Sequence, residues 1–367
     1  VLINIFRYHG DKKLLIIRFL LFLVITVGLL TGYSRGKVFQ VVQMDFFRFF
    51  SGFFALCLFT RTIDNLRTIM NLLVITSLLC SIYVIAHGGK GPGMLIDEND
   101  VASFLVMLLP VSYFLLGIAT SLFARLGLTS IFFVNLIAIA ATLSRGGMVG
   151  TLPTLFFIWY KSKRKILTLV FVIIAVFAVV QWGPPSLMNE FSSISNKDDR
   201  TANSRMYFWG LSFQMMLKKP VFGVGANSWA NAIWAGIVPL EKNVDNITPH
   251  SLYFQLLSEL GVVGTIVFLL FFVGSTKIIK NIFRLIGLLK SPINDDTEIE
   301  NIKEVRFCEL YVQSILTGIV GFMVCSLFIS TLYYPHYYYY TFILVAIYNI
   351  LLATESQIVR AAEKNSC

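Results

Sequence analysis

Charge is what this chain has least of. Asp, Glu, Lys and Arg make up 14% of its 367 residues, against roughly 25% in an ordinary soluble domain. With 56% apolar residues, that shortfall excludes a string of soluble domains and leaves one polytopic membrane domain over 1–367. Acidic residues are scarcer than basic ones, 20 against 30, and no acidic triad for a metal stands out, so no metal and no cofactor is expected. The positive surplus would point to nucleic acid in a soluble protein. In a membrane protein it first reflects the bias of Lys and Arg toward cytoplasmic loops, and no nucleic-acid partner is expected. The five cysteines are not paired at metal-ligand spacing, and Cys57, Cys80, Cys308 and Cys325 read as buried apolar residues in or beside apolar runs. No internal repeat is evident. The first apolar run lacks a small-residue cleavage site, so no cleavable signal peptide is expected.

What is present is long apolar runs. A spanning helix needs about 20 mostly apolar residues. Ten candidates meet or approach that, at 14–30, 46–59, 69–85, 101–123, 126–143, 148–160, 166–181, 252–273, 310–329 and 338–352; the second and sixth are short. Orientation follows from the basic residues of short loops. The densest basic turn is "KSKRK", with Lys161, Lys163, Arg164 and Lys165. With that turn in the cytoplasm, Arg7, Lys12, Lys13, Arg61, Arg67, Arg125, the segment 277–306, Arg360 and Lys364 fall on the same side, and both termini are cytoplasmic. The opposite side keeps little beyond Arg35, Lys37 and Lys90. The expected fold is therefore all-α: a polytopic transmembrane helical bundle of about ten spans, or twelve with short ones included. One large periplasmic loop region, 182–250, carries short amphipathic helices, and 277–306 is a cytoplasmic loop.

The outward face collects the unusual polar residues. In "ATLSRGGMVG" Arg145 stands where one apolar run ends and another begins. A charge there is costly. It either snorkels to headgroups or faces a ligand that Gly146 and Gly147 let approach. In "RTANSRMYFWGLSFQMMLKKP", Asn203 or Ser204 caps a helix running to about residue 217, and Lys218, Lys219 and Pro220 end it. Phe208, Leu211 and Met215 give that helix an apolar face suited to the membrane surface. Arg205 falls in its first turn, where the helix dipole is already positive; it needs an anion or a salt bridge to Asp198 or Asp199. Arg200 adds charge nearby. Gly223 and Gly225 mark a structural turn. In "TPHSLYFQLLSELGVVG", Thr248 or Pro249 starts a spanning helix with His250 in its first turn. His250 is a polar cap or, held neutral by the dipole and nearby arginines, a proton acceptor. Glu259 faces away from His250 and shares a face with Gln255, which suits interhelical hydrogen bonding. Asp97, Asn99 and Asp100 can cap the helix that follows, and His336 lies in a tyrosine run that reads as an interfacial aromatic belt. Cations aimed at a phosphate beside a base aimed at a hydroxyl describe a transferase with a phosphorylated leaving group.

Four pieces, "DENDVASFLVMLLP", "TLSRGGMVG", "RMYFWGLSFQMMLKKPVFGVGANSW" and "PHSLYFQLLSELGVVG", resemble in order and spacing the bacterial O-antigen ligase and O-antigen polymerase superfamily of membrane glycosyltransferases. The resemblance covers about residues 70–330. It implies a multi-pass protein of the bacterial inner membrane with a periplasmic active site. It implies an undecaprenyl-diphosphate-linked glycan as donor and a hydroxyl on lipid A core, on a glycan or on a protein as acceptor, with membrane lipids around it. It implies that Arg145 and Arg205 stabilise the diphosphate leaving group and that His250 takes the acceptor proton, in an inverting, metal-independent transfer. Arg200, Asn99, Gly146, Trp209 and His336 would line the substrate. An O-antigen ligase acting on lipid A core is the leading expectation. A repeat-unit polymerase and a protein O-oligosaccharyltransferase are its alternatives. A transporter of lipid-linked sugars ranks lower, because paired repeats and broken helices near the midplane are not evident in the sequence.

Overall fold

The computed structural model describes residues 9–182, 200–240, 248–290 and 298–365. Among them the protein is entirely helical. Its elements are α1 (His9–Thr31), α2 (Arg35–Phe59), α3 (Ile63–Ala86), α4 (Glu98–Leu115), α5 (Leu122–Ala141), α6 (Arg145–Lys161), α7 (Lys165–Trp182), α8 (Arg200–Lys218), α9 (Trp229–Trp234), α10 (Leu252–Leu289), α11 (Glu298–Cys325) and α12 (His336–Asn365), with a short 3₁₀ turn at Gly93–Leu95. Each of the ten apolar runs lies mainly on one helix, but 101–123 runs past the end of α4 through a turn into the start of α5, and 126–143 and 310–329 overrun the ends of α5 and α11. Among the described residues seven helices are long and apolar enough to cross a membrane: α1, α3, α4, α5, α10, α11 and α12. Over their described residues α2, α6 and α7 are not among these, and α7 is apolar but shorter. The chain is a multi-pass membrane protein.

Two packed groups make the bundle. In one, α4 is enclosed by α3, α5, α6 and α11, and nearly every residue from Val101 to Leu115 is buried. A helix apolar all round needs such a central place. In the other, α10 packs on α1 and α12, and α2 lies against α1 and α12. The outermost helix, α7, turns Ile166, Leu167, Ile173, Ile174 and Phe177 outward, as a lipid-facing surface requires. Small residues let α6 and α11 approach closely. A Cβ on Gly150 would lie 2.2 Å from Cys325 Sγ and 2.8 Å from the Gly321 carbonyl.

Several expectations are corrected. The segment 277–306 is mostly not a loop: α10 continues to Leu289 and α11 begins at Glu298, because apolar residues recur at helical spacing through Ile278, Ile282 and Leu285, which are buried. The spans are not all unbroken. Gly261 interrupts α10 with φ 64° and ψ −164°, a conformation open to glycine. The interruption is closed by the turn after α8. Val262 and Val263 N–H donate to the Pro220 and Val221 carbonyls, at 2.8 and 3.2 Å, while Val224 and Gly225 N–H donate to the Ser258 and Glu259 carbonyls, at 2.9 and 3.0 Å. The tyrosine run is not an interfacial belt. Tyr337, Tyr338 and Tyr340 are buried; Tyr340 donates to the Met107 carbonyl at 3.2 Å. Tyr338 lies under the guanidinium of Arg18, 4.4 Å from its ring centroid. Arg18 is itself buried within α1 and ion-paired with Asp45 of α2.

Candidate functional site

One end of the bundle brings together the starts of α4, α6 and α10, the helix α8 and the segment after α11. Asp97 caps α4, its Oδ1 accepting from Asn99 N at 2.8 Å and from Asn99 Nδ2 at 3.1 Å. Asn99 Oδ1 in turn accepts from Ser144 Oγ at 2.8 Å. Ser144 caps α6 by accepting from Gly147 N at 3.0 Å. The polar starts of α4 and α6 are thus one hydrogen-bonded unit, and Arg145 is the first residue of α6. Gly146 and Gly147 are buried. They admit protein rather than an open approach to a ligand: Cβ atoms there would lie 3.1 Å from Phe328 and 2.6 Å from Ala102.

Phe328 links Arg145's helix to α8. The Arg205 guanidinium carbon lies 5.9 Å from the Phe328 ring centroid, a cation–π distance, and the same side chain abuts Gly146. Arg205 is not in the first turn of its helix, since α8 runs from Arg200. The polar residues Thr201, Asn203 and Ser204 are helical there rather than capping. The side chain of Arg200 lies outside the described residues, as do Asp198 and Asp199. The apolar face of α8 does not lie on the membrane. Phe208, Leu211 and Met215 pack with Trp229, Ile233 and Val238 into a buried cluster of their own, because the turn at Pro220–Gly225 folds α9 back over α8.

His250 precedes α10 instead of sitting in its first turn; the helix begins at Leu252 with Ser251 as its cap residue. The backbone at His250 is left-handed, φ 44°, and Leu143, two residues before Arg145, is likewise at φ 53°. Such conformations cost a non-glycine residue about 1–3 kcal/mol and persist where surrounding contacts over-determine them. At His250 those contacts are visible on both sides. Trp209 Nε1 donates to the Pro249 carbonyl at 3.1 Å and its indole stacks on Phe254 at 5.1 Å. Leu252 N donates to the Ser326 carbonyl at 2.9 Å. The His250 ring lies 6.5 Å from that of Phe208. Its pKa is lowered from the ordinary imidazole value, first by burial and then by the positive charge of Arg205, with Asp97 opposing. The ring is therefore held toward its neutral form, and Arg205 and Asp97 both act on it electrostatically.

Arg145, Arg205, His250, Asn99, Gly146 and Trp209 thus occupy one region. His336 borders this region, since Tyr334, whose ring lies beside it, donates through its hydroxyl to Asp100 Oδ2 at 2.6 Å, next to Asn99. It is half-buried in an aromatic box of Phe104, Phe322 and Tyr334, with centroids at 5.0, 6.4 and 5.6 Å, and Phe104 lies about 7.5 Å further along α4 than Asn99. Three residues matter here beyond what the sequence suggested of them, and the first, Phe328, was not among its candidates. Phe328 packs between the two arginine-bearing helices. Asp97 acts on His250 as well as capping α4. Glu259 does face away from the site and does bond with Gln255, at 3.4 Å; it also accepts from Asn227 N at 2.8 Å and Tyr333 OH at 2.6 Å, which pins the turn that follows α8. Among the described residues no three His, Cys, Asp or Glu side chains gather to hold a metal.

A comparison with curated proteins gave no match. Residues 129–269 match the model of the family described as O-antigen ligase, a span that includes Arg145, Arg205, Trp209, His250 and Glu259. The match supports a ligase- or polymerase-type membrane glycosyltransferase, and it makes this part of the chain similar to the O-antigen ligase and polymerase superfamily.

Proposed function

We propose that the protein transfers a glycan from an undecaprenyl-diphosphate donor to a hydroxyl acceptor at the periplasmic face of the bacterial inner membrane, as an O-antigen ligase acting on lipid A core. The observation that carries this reading is the meeting of Arg205 and His250 beside the start of α6, where Arg145 stands. Two guanidinium groups near one lipid headgroup would stabilise the charge that develops on a departing diphosphate, and planar forks suit phosphate oxygens. His250, kept neutral by burial and by Arg205, would accept the hydroxyl proton as the acceptor oxygen attacks the anomeric carbon and the carbon–oxygen bond to the diphosphate breaks. A single displacement of that kind inverts the anomeric centre, and the arginines take the electrostatic part a metal plays elsewhere. Asn99, Gly146 and Trp209 act as positioning residues, through Ser144, Phe328 and Pro249 respectively.

Complementation of a strain lacking the gene tests this. Arg145→Ala, Arg205→Ala and His250→Ala are each expected to abolish glycan transfer while inserting normally in the membrane, and Arg145→Lys to be impaired. Normal glycan laddering from all three alanine variants would overturn the proposal.

A further inference from the structure

A second concave site lies at the other end of the bundle. It is a cleft of 640 Å³ between the end of α4, the start of α5, the α6–α7 turn and the early part of α11. Five cations line it: Arg125, Lys161, Lys163, Arg164 and Arg306. The one carboxylate in its wall, Glu309, is already taken by Lys290 Nζ at 2.6 Å. Since α6 carries Arg145 at its first residue and Lys161 at its last, the cleft lies about 25 Å from the candidate active site, at 1.5 Å of rise per residue.

The bias of basic residues toward one side of a membrane accounts for cations in these loops. It does not account for their convergence on one concave surface, nor for what continues that surface. Below the basic rim the wall is apolar and belongs to α7. Leu167, Val170 and Ile174 line the cleft and are about half exposed, at 60%, 46% and 51%. Between rim and wall stands a hydroxyl relay: Tyr113 OH lies 2.8 Å from Thr168 Oγ1, and Thr168 Oγ1 donates to Ser162 Oγ at 2.6 Å. A rim of net positive charge, hydroxyls at the boundary and an apolar wall toward the bilayer are together the complement of an amphiphile with an anionic head.

We propose that this cleft binds an anionic phospholipid of the surrounding bilayer, its phosphate among Arg125, Lys161, Lys163, Arg164 and Arg306 and its acyl chains along Leu167, Val170 and Ile174 of α7. Basic pockets between spanning helices hold lipid headgroups by this combination of charge and apolar contact. The occupant is a lipid and not a free phosphate, because the apolar wall has no counterpart in a small anion. The proposal does not rest on the transferase reading and concerns the opposite end of the molecule.

The test is native mass spectrometry of detergent-purified full-length protein offered phosphatidylglycerol, phosphatidylethanolamine or glycerol phosphate. Wild type is expected to retain phosphatidylglycerol selectively. The triple variant Lys161→Gln, Lys163→Gln, Arg164→Gln is expected to lose affinity on the order of 100-fold, at about fivefold per basic residue near a charged headgroup. Leu167→Glu keeps every cation and sets a negative charge in the apolar wall; it should weaken binding by about tenfold. Lys277→Gln with Lys280→Gln removes charge outside the cleft and should change nothing. Monodisperse elution of each variant separates loss of binding from loss of fold. Equal retention of phosphatidylglycerol by the triple variant, a loss just as large in the Lys277 and Lys280 control, or glycerol phosphate bound as tightly as the lipid would each overturn the proposal.

Discussion

Trp209→Phe isolates the positioning of His250 from its chemistry. The phenyl ring keeps a smaller aromatic partner for Phe254, which the indole stacks upon at 5.1 Å, and removes the Nε1–H that donates to the Pro249 carbonyl at 3.1 Å together with part of the ring system. A neutral hydrogen bond of this kind contributes about 0.5–1.5 kcal/mol net. That bond helps hold His250 at φ 44°, a state that costs an ordinary residue about 1–3 kcal/mol. The tether and the strain are of similar size, so without the tether the backbone relaxes toward extended conformations in a comparable share of molecules. The loss appears in the reactive geometry and not in donor affinity. The expected result is a fall in kcat of about 2- to 12-fold, from 0.5–1.5 kcal/mol, with KM little changed. The assay is the initial rate of glycan transfer by purified protein across a pH series. Relaxation takes the imidazole away from burial and from Arg205, which together lower its pKa, so the inflection should move up toward the unperturbed value of about 6.5. A variant that was merely less folded would lose rate at every pH and keep its inflection. Unchanged kcat, or a fallen kcat with an unmoved inflection, would refute the reasoning.

Other outcomes follow from the same contacts. Because the pKa of His250 is lowered, the unfolded state binds more protons than the native one as pH falls below about 6.5. Stability should therefore be level above that value and decline beneath it, while transfer should persist further down and decline through the lowered pKa of the native imidazole, as thermal melts at stepped pH and pH–rate profiles would register. Asp97 opposes the lowering; Asp97→Asn, which can still cap α4, should shift the rate inflection to lower pH, and an upward shift would contradict the assigned electrostatics. Gly150→Ala sets a methyl 2.2 Å from Cys325 Sγ and should cost about 1–3 kcal/mol of stability by overpacking, partly restored by adding Cys325→Ala, with melting in detergent as the readout.

The sequence made the all-helical class legible because lipid imposes a length and an apolarity on each helix, and each of the ten runs it marked falls mainly on one helix. Boundaries were less legible where polar residues have two uses. Asn203 and Ser204 look like caps but are helical, since α8 begins at Arg200. Ser251 and the backbone strain at His250 arise from tertiary contacts with Trp209 and Ser326, which no local pattern encodes. The residues of the candidate site were readable as types, because arginines and a histidine beside apolar runs are costly unless used. Their supports were not. Phe328 is one phenylalanine among 33, and only its place between Gly146 and Arg205 gives it significance. His336 stood out in the sequence for its tyrosine neighbours, yet those side chains serve the protein interior. The interruption at Gly261 was hidden because its hydrogen bonds are supplied by a turn some forty residues earlier.

Arg145, Arg205 and His250 are proposed to handle one lipid-linked diphosphate, and donor binding measured alongside transfer separates the part of each. Purified protein would be given an undecaprenyl-diphosphate glycan with and without lipid A core, and both donor affinity and glycosylated product would be followed. His250→Ala is predicted to bind donor as wild type does and to transfer nothing, while Arg145→Ala and Arg205→Ala lose donor affinity and transfer together. Wild-type transfer by the arginine variants, or loss of donor binding confined to His250→Ala, would contradict it.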